Sequence, residues 1–365
     1  MNILQKLYHN DLNKVYKTFS AGGGEVILDN VIGGIPDLQS YFEDLRGNIN
    51  KGTEVLISYH NPAWEPILEI ASKLGLRKNV GIQNWLDRDD LINILDLCGF
   101  EAISFEKRFF SITTITIARI KNHALSIKNN FSVSIVVPAK NEEGNITKIL
   151  PSIPKFGKFQ EIIFVEGNSK DKTWEKILNE EKNRKNVKAY KQTGKGKADA
   201  VRLGFEKATG DILMIYDADR TVNASDLSKF YKALVKGKGK FINGSRLVYP
   251  MEKDAMQSLN KIGNKFFGTL FTWILGTRFK DTLCGTKVMW KSDFVKYKKD
   301  YNKYLKNDPF GDFALIFTAI KHNLKVIEIP VRYKERVYGS TNINRFRHGL
   351  LLFKMAFLAF IEFKI

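Results

Sequence analysis

From Gly24 onward the chain alternates short β-branched apolar runs with longer stretches in which apolar residues recur every three or four positions. GEVILDNV (24–31) and TEVLISYH (53–60) read as strands, PDLQSYFEDLRGNI (36–49) and DDLINILDLCGF (89–100) as helices, and the alternation predicts an α/β layer. EAISFEKRFF and SITTITIARI (101–120), with almost nothing between them, predict a closing antiparallel hairpin, and the polar, basic KNHALSIKNN (121–130) reads as a linker. The pattern then starts afresh at SVSIVVPAKNEEGNI (132–146) and continues through QEIIFVEGNSKDKTWEKIL, NVKAYKQ, KGKADAVRLGFEKA and GDILMIYDADRTVNASDLSKF. Its strands are apolar throughout, as in Ile162 to Val165 and Ile212 to Tyr216, which predicts a sheet covered on both faces. Polar residues gather just past the C-terminal end of each strand, where open α/β sheets bind ligands.

Length and composition support two globular domains and narrow the chemistry. A chain of 365 residues exceeds one ordinary core, and 44% hydrophobic with 27% charged residues are values of a folded globular protein. The net charge of +19 favours polyanionic partners, namely nucleic acid, anionic headgroups or phosphorylated substrates, with a solvated lysine-rich surface as the competing explanation. Cys98 and Cys284 lie far apart without metal-type spacing, so a reducing compartment is favoured over a disulfide framework. The polar N-terminus shows no secretory signal, and a cytoplasmic location is expected. Gly349 to Ile365 is nearly apolar, but Lys354 and Glu362 interrupt it; that favours lying on a membrane or packing on a core over crossing a bilayer.

Asp217-Ala218-Asp219 follows the apolar run ILMIY directly, so a strand delivers both carboxylates to the crevice edge, with alternation sending them to one face. Paired carboxylates there suit Mg²⁺ or Mn²⁺, hard cations that take oxygen ligands and bridge diphosphate oxygens. Alone the pair is weak evidence, since acids commonly end strands. Its company is more specific. SIVVPAKNEE, IIFVEGNSKDKT and GKGKADAVRLGFEKATGDILMIYDAD arrive in the order and approximate spacing of family-two glycosyltransferases, which have the GT-A fold, and the resemblance runs from about Ser132 through Arg347. It is nearest to the group that transfers sugars to polyprenyl phosphates, the dolichol-phosphate mannosyltransferase-like enzymes.

That resemblance implies a nucleoside diphosphate sugar as donor and a polyprenyl phosphate or glycan as acceptor, with metal-dependent, inverting transfer. Asp217 and Asp219 would hold the cation and the donor. Pro138, Lys140 and Glu142 would line the nucleotide pocket, Glu142 near the base or ribose; a first-turn helix acid favoured by the dipole is its competing reading. Glu166 stands where the family usually has aspartate, in Val165-Glu166-Gly167-Asn168-Ser169, so the donor nucleotide stays open. Lys195 and Lys197 in GKGKADAVRLGFEKA precede a helix whose N–H groups could help hold phosphate, but capping beside a basic loop explains them equally well, and they are not counted as site residues. Arg246, in Asn243-Gly244-Ser245-Arg246, occupies the place of an arginine that holds acceptor phosphate, a task suited to a planar, permanent cation. Asp281 to Lys287 resembles the stretch that shapes the acceptor side; Lys287 would bind acceptor, and Asp281 could equally be a loop or capping acid. Asp312 is the candidate base. A phosphate acceptor needs little proton removal whereas a sugar hydroxyl does, so Asp312 either orients the acceptor or caps the following helix. Arg336, in Arg332 to Asn342, resembles the arginine of an Arg-x-x-Gly-x-Ser segment that closes over the donor diphosphate.

The earlier segment, from about Gly24 to Ile120, resembles the C-terminal half of a class I S-adenosylmethionine-dependent methyltransferase. Such enzymes need a Gly-rich turn and a ribose-binding acid upstream, for which the chain has no room, and Ala21-Gly22-Gly23-Gly24 reads as a loop. The expected organisation is a truncated methyltransferase-like α/β domain over 1–125 that binds no S-adenosylmethionine, a GT-A domain over 131–348 and an apolar helix over 349–365. That helix and Leu259 to Gly276, with Phe266, Phe267, Phe271 and Trp273, could form an interfacial platform on the inner face of the cytoplasmic membrane, toward anionic lipid; core packing or a dimer interface fits the same pattern. Nucleic acid is not the expected partner. Two rival readings stand beside the glycosyltransferase: methyl transfer by the first domain, and a non-catalytic basic adaptor for membrane or nucleic acid.

Overall fold

A computed structural model describes residues 3–21, 26–77, 83–121, 130–250, 258–308, 310–339 and 345–365. Residues 22–24 of the glycine run, 122–129 of the linker and 340–342 of the Arg332 motif therefore lie outside the described residues. The chain forms two compact units, Met1–Leu125 with Val248–Pro250, and Ser126–Leu247 with Met251–Ile365.

The first unit runs α1 (Ile3–Ala21), β1 (Val26–Asp29), α2 (Leu38–Asn48), β2 (Glu54–His60), α3 (Glu65–Lys73), α4 (Arg88–Cys98), β3 (Phe100–Arg108) and β4 (Thr113–Ile120). The sheet order is β1-β2-β4-β3, with β1 and β2 parallel and β3 and β4 forming the expected antiparallel hairpin. Alternation along β2 sends Val55, Ile57 and Tyr59 into one core with Leu38, Phe42, Leu91 and Leu95, and Leu56 into another with Leu12 and Phe19. Helix α1 was not foreseen because its sequence is polar. It forms where Leu12, Val15, Tyr16 and Phe19 make a stripe at helical spacing that covers the second face of the sheet.

The second unit runs β5 (Ser132–Ala139), α5 (Glu143–Ser152), β6 (Phe159–Glu166), α6 (Thr173–Asn183), β7 (Val187–Lys191), α7 (Gly196–Lys207), β8 (Ile212–Ile215), α8 (Leu227–Val235), β9 (Phe241–Ser245), α9 (Ser258–Leu275), β10 (Lys287–Trp290), α10 (Lys291–Leu305), α11 (Phe313–Lys321), β11 (Val326–Pro330) and α12 (Arg345–Lys364). Its seven-stranded sheet has the order β11-β9-β10-β8-β5-β6-β7, and β10 is antiparallel to both neighbours in an otherwise parallel sheet. This is the mixed α/β architecture expected of a GT-A domain. Val136, Ile163, Val165, Leu213 and Ile215 pack with α7 and α9–α12, and the alternate positions Ile135, Val137, Ile162 and Phe164 are buried too, so both faces are covered. β10 escaped the sequence reading because KVMW is only four residues long and its Lys287 breaks the apolar run.

α9 and α12 pack on each other through Phe267 and Phe353, with ring centroids 5.0 Å apart. Their outer side stays apolar: Ile262, Phe266 and Trp273 of α9 and Leu350, Phe353, Phe357 and Ile361 of α12 are all exposed, at the three- and four-residue spacing of one helix face. Among the described residues, no helix is long and apolar enough to cross a membrane.

Candidate functional site

The second unit collects its charged side chains at the C-terminal ends of β5, β8 and β9 and on the loops that follow. β8 ends at Ile215, and the chain then leaves the ladder, carrying Asp217 and Asp219 into the crevice. Asp219 Oδ1 accepts from the backbone N–H of Thr221 at 3.1 Å and from its hydroxyl at 2.8 Å, which fixes the carboxylate on its own turn. Its Oδ2 accepts from Arg336 Nη2 at 2.7 Å. The Arg336 Nη1 group donates to Glu142 Oε1 at 3.0 Å, so one guanidinium bridges two acids 77 positions apart in the chain. The Arg336 segment is held by the backbone of the loop beneath it: Lys334 N–H donates to Thr221 at 2.7 Å, and Asn223 N–H to Arg332 at 3.2 Å.

Arg332, in the same motif, works differently. It donates to both oxygens of fully buried Asp226, through Nη2 at 2.7 Å and Nε at 3.3 Å, and anchors the segment rather than facing the crevice. Glu142 is buried, and burial raises its carboxyl above the ordinary range against the opposing pull of Asn145 and Arg336. Its side chain caps no helix N–H; it accepts instead from Asn145 Nδ2 at 2.7 Å. Glu142 thus stands at the start of α5, where the helix dipole favours an acid, and also bridges to Arg336. Of the other donor-side positions, Pro138 is half-buried at the end of β5, Lys140 is exposed, and Glu166 is turned onto its own loop, accepting from Ser169 N–H at 2.5 Å.

Asp217 pairs with Lys197, whose ammonium lies 2.7 Å from Oδ1. Burial opposes the charge on Asp217, but Lys197 outweighs it and holds the carboxyl below the usual aspartate range. Gly285 packs directly against this pair: a β-carbon there would collide with Asp217 Oδ2 and Lys197 Nζ. Gly311, with φ of 80°, brings the next loop against the backbone of Ala198, a conformation and an approach that both favour glycine.

The acceptor-side candidates are also paired. Arg246 holds buried Asp281 bidentately, Nε to Oδ2 at 2.7 Å and Nη2 to Oδ1 at 2.8 Å, and its backbone N–H adds a third bond at 3.0 Å. Burial resists the charge on Asp281, and Arg246 overcomes it, so the carboxyl lies below its ordinary range. The loop carrying Asp281 rests on Glu328 of β11, which accepts from the N–H groups of Lys280 at 2.7 Å and Asp281 at 3.2 Å and from Asn243 Nδ2 at 3.1 Å. Burial pushes the Glu328 carboxyl up to about 7. Lys287, nearly inaccessible, donates to Asp312 Oδ1 at 2.8 Å. Asp312 makes no side-chain cap on α11; Asp308 accepts from the helix N–H of Ala314 at 2.8 Å instead, and from the Phe310 N–H of the preceding loop at 2.9 Å.

The sequence reading thus missed Lys197, Asp308 and Glu328 as members of this network. Lys197 had a signal, the GKGKADA run before a helix; the other two had only their chemistry as buried acids.

Residues 134–320, about half of the chain, match the family model for glycosyl transferase family 2. Among curated relatives, glycosyltransferase AglJ of Haloferax volcanii is 29% identical over 225 residues, covering 61% of this chain and 70% of the relative. Dolichol-phosphate mannosyltransferase of Pyrococcus furiosus is 27% identical over 219 residues, 58% of this chain and 59% of the relative. The chain therefore spans between 59% and 70% of the length of these relatives. Among solved structures, the mannosyltransferase PcManGT from Pyrobaculum calidifontis, in complex with GDP-Man and Mn²⁺, has a TM-score of 0.45 at 16% identity, covering 66% of this chain and 68% of that one.

Proposed function

Because the chain belongs to glycosyl transferase family 2, we propose that its second unit moves a sugar from a nucleoside diphosphate donor to a polyprenyl phosphate or a glycan hydroxyl, with inversion and with Mg²⁺ or Mn²⁺ as cofactor. One observation carries this reading: at a single sheet edge, four carboxylates each face a cation of the chain, Asp217 with Lys197, Asp219 with Arg336, Asp281 with Arg246 and Asp312 with Lys287. An edge with that many paired charges suits a substrate that is itself highly charged.

The donor set fits a hard divalent cation, since Asp217 and Asp219 offer carboxylate oxygens two residues apart on a turn fixed by Thr221. Such a cation, when bound, supplies charge neutralisation to the departing diphosphate. Arg336 lies against Asp219 and acts on the same diphosphate, its guanidinium stabilising charge as it develops. Glu142, joined to Arg336, and Glu166, Pro138 and Lys140 line the nucleotide side. Arg246 keeps its acceptor role by using N–H donors other than the two that Asp281 takes, out of five on a guanidinium. Lys287 holds Asp312 in place at the acceptor end, where Asp312 takes a proton from a sugar hydroxyl or orients a phosphate that needs no base.

The dolichol-phosphate mannosyltransferase among the relatives supports a lipid phosphate as acceptor. The exposed apolar face of α9 and α12 supports contact with an anionic membrane surface, because α9 carries no acidic residue and α12 only Glu362. The protein then works in the cytoplasm, peripherally on the membrane. The first unit serves as a scaffold without S-adenosylmethionine, a reading supported by Asp29, the acid ending β1, which already accepts from the hydroxyls of Tyr16 and Ser58.

The test offers a panel of nucleoside diphosphate sugars with polyprenyl phosphate and measures release of nucleoside diphosphate. At least one donor is expected to turn over only with a divalent cation present. Absence of turnover across the panel, with lipid and glycan acceptors alike, defeats the proposal.

A further inference from the structure

Lys197 is the second residue of α7, and a cation there opposes the positive end of the helix dipole. Its position is explained by Asp217, not by the helix. The ammonium lies 2.7 Å from Asp217 Oδ1, and both side chains are 29% exposed. A lysine ammonium is charged at neutral pH, so the contact is an ion pair. The backbone of Gly285 closes one side of the pair, leaving no room for a side chain. The ammonium thus occupies one oxygen of Asp217, and Gly285 packs against the other.

We infer that Lys197 is a displaceable counter-ion for Asp217, which makes cation binding depend on the nucleotide. This rests on the glycosyltransferase reading above and deepens it. A divalent cation arriving alone has to separate Asp217 from Lys197 and then sit close to a freed ammonium, and like charges at such distances repel strongly in a partly buried site. A nucleoside diphosphate removes this obstacle. Its phosphate oxygens accept the ammonium, and the long flexible lysine stem swings from Asp217 to phosphate while the cation takes the vacated carboxylate. Lys197 is in this sense a positioning residue, and its effect falls on the order in which cation and donor bind. Arg336, which bridges Asp219 and Glu142, places a second cation of the chain at the same edge.

The experiment measures Mn²⁺ binding to the full-length chain by electron paramagnetic resonance of free Mn²⁺, alone and with UDP or GDP, for the native protein, Lys197→Met and Lys197→Arg. The native protein is expected to bind Mn²⁺ about tenfold or more tightly when the nucleotide is present. Lys197→Met is expected to raise the affinity for Mn²⁺ alone by about tenfold or more, and so to shrink the nucleotide dependence, whereas Lys197→Arg keeps the native pattern. A lysine that only supported the fold would not tighten metal binding when removed, and thermal melting of the two variants checks that both fold. If Lys197→Met binds Mn²⁺ alone no better than the native protein, while the native protein still binds it with UDP or GDP, the inference falls and the proposed reaction stands. If no form binds Mn²⁺ with either nucleotide, the inference and the metal-dependent reaction fall together.

Discussion

The two units of the chain solve the same electrostatic problem with different materials. Each is an α/β sheet with an acid at the C-terminal end of a strand. In the first unit that acid, Asp29, is met by neutral hydroxyls: Tyr16 donates at 2.6 Å and Ser58 at 2.8 Å. Nearby, burial pushes His60 down to about 4, so the imidazole is neutral at physiological pH. In the second unit Asp217, Asp219, Asp281 and Asp312 each face a lysine or an arginine. Hydroxyls satisfy a carboxylate and leave little reason for it to change partners, whereas a cation can be exchanged for another cation. The contrast separates an edge that holds a fold from an edge able to take a charged substrate.

Matched substitutions break the contrast most directly. Asp217→Ala is expected to lower sugar transfer by about a thousandfold or more, as loss of a group that holds the cation and diphosphate should. Asp29→Ala should leave transfer within about twofold while lowering the melting temperature. Equal losses in a donor-turnover assay would erase the distinction between the edges.

A smaller but still large effect is expected at the Arg246 pair. Asp281 is wholly buried and Arg246 nearly so, and removing one partner leaves the other charge uncompensated. Asp281→Ala should therefore cost about 3–5 kcal/mol in denaturant unfolding of the second unit. A loss under about 1 kcal/mol would place this pair with the exchangeable surface type.

The smallest effect concerns pH. Glu328 has its carboxyl raised from 4.5 to about 7 in the fold, so between those values the folded state binds a proton that the unfolded state has released. Stability contributed at this residue is thus full below pH 4.5 and is lost as pH rises toward 7 and beyond. Replacement by glutamine removes the titration but adds an N–H₂ against backbone donors, so its absolute effect is mixed. The difference is informative: the melting temperature of the native protein relative to Glu328→Gln should be higher at about pH 5 than at about pH 8, and a pH-independent difference would remove Glu328 from the account.

Most of the strands and the acidic pair at the end of β8 could be read from sequence because they depend on local order, whereas the return of Val248–Pro250 to the first unit could not. ILMIY followed by Asp217 and Asp219 states a strand and its cargo in eight residues. The partners could not be read in this way. Asp219 meets Arg336, which also holds Glu142, through segments separated by most of the domain, and Asp281 depends on Glu328, 47 positions away. Local reasoning also left Asp312 between capping and chemistry; its carboxylate caps no helix N–H, and Asp308, four residues earlier, accepts from the Ala314 N–H of α11 instead. Helix α1 shows the complementary failure, a polar segment made helical by the sheet face that it covers.

Gly285 offers a practical consequence. The nearest atoms to where its β-carbon would go are side-chain atoms of Asp217 and Lys197, and its own backbone is not in the left-handed region, so alanine suits the main chain while dislodging those two groups. A single methyl is then expected to lower sugar transfer, read as donor turnover, with every acid, base and charge still present in the polypeptide. For work in living cells, Gly285→Ala is the control of choice, a full-length protein with unaltered net charge whose phenotype reports the missing reaction and not a missing partner.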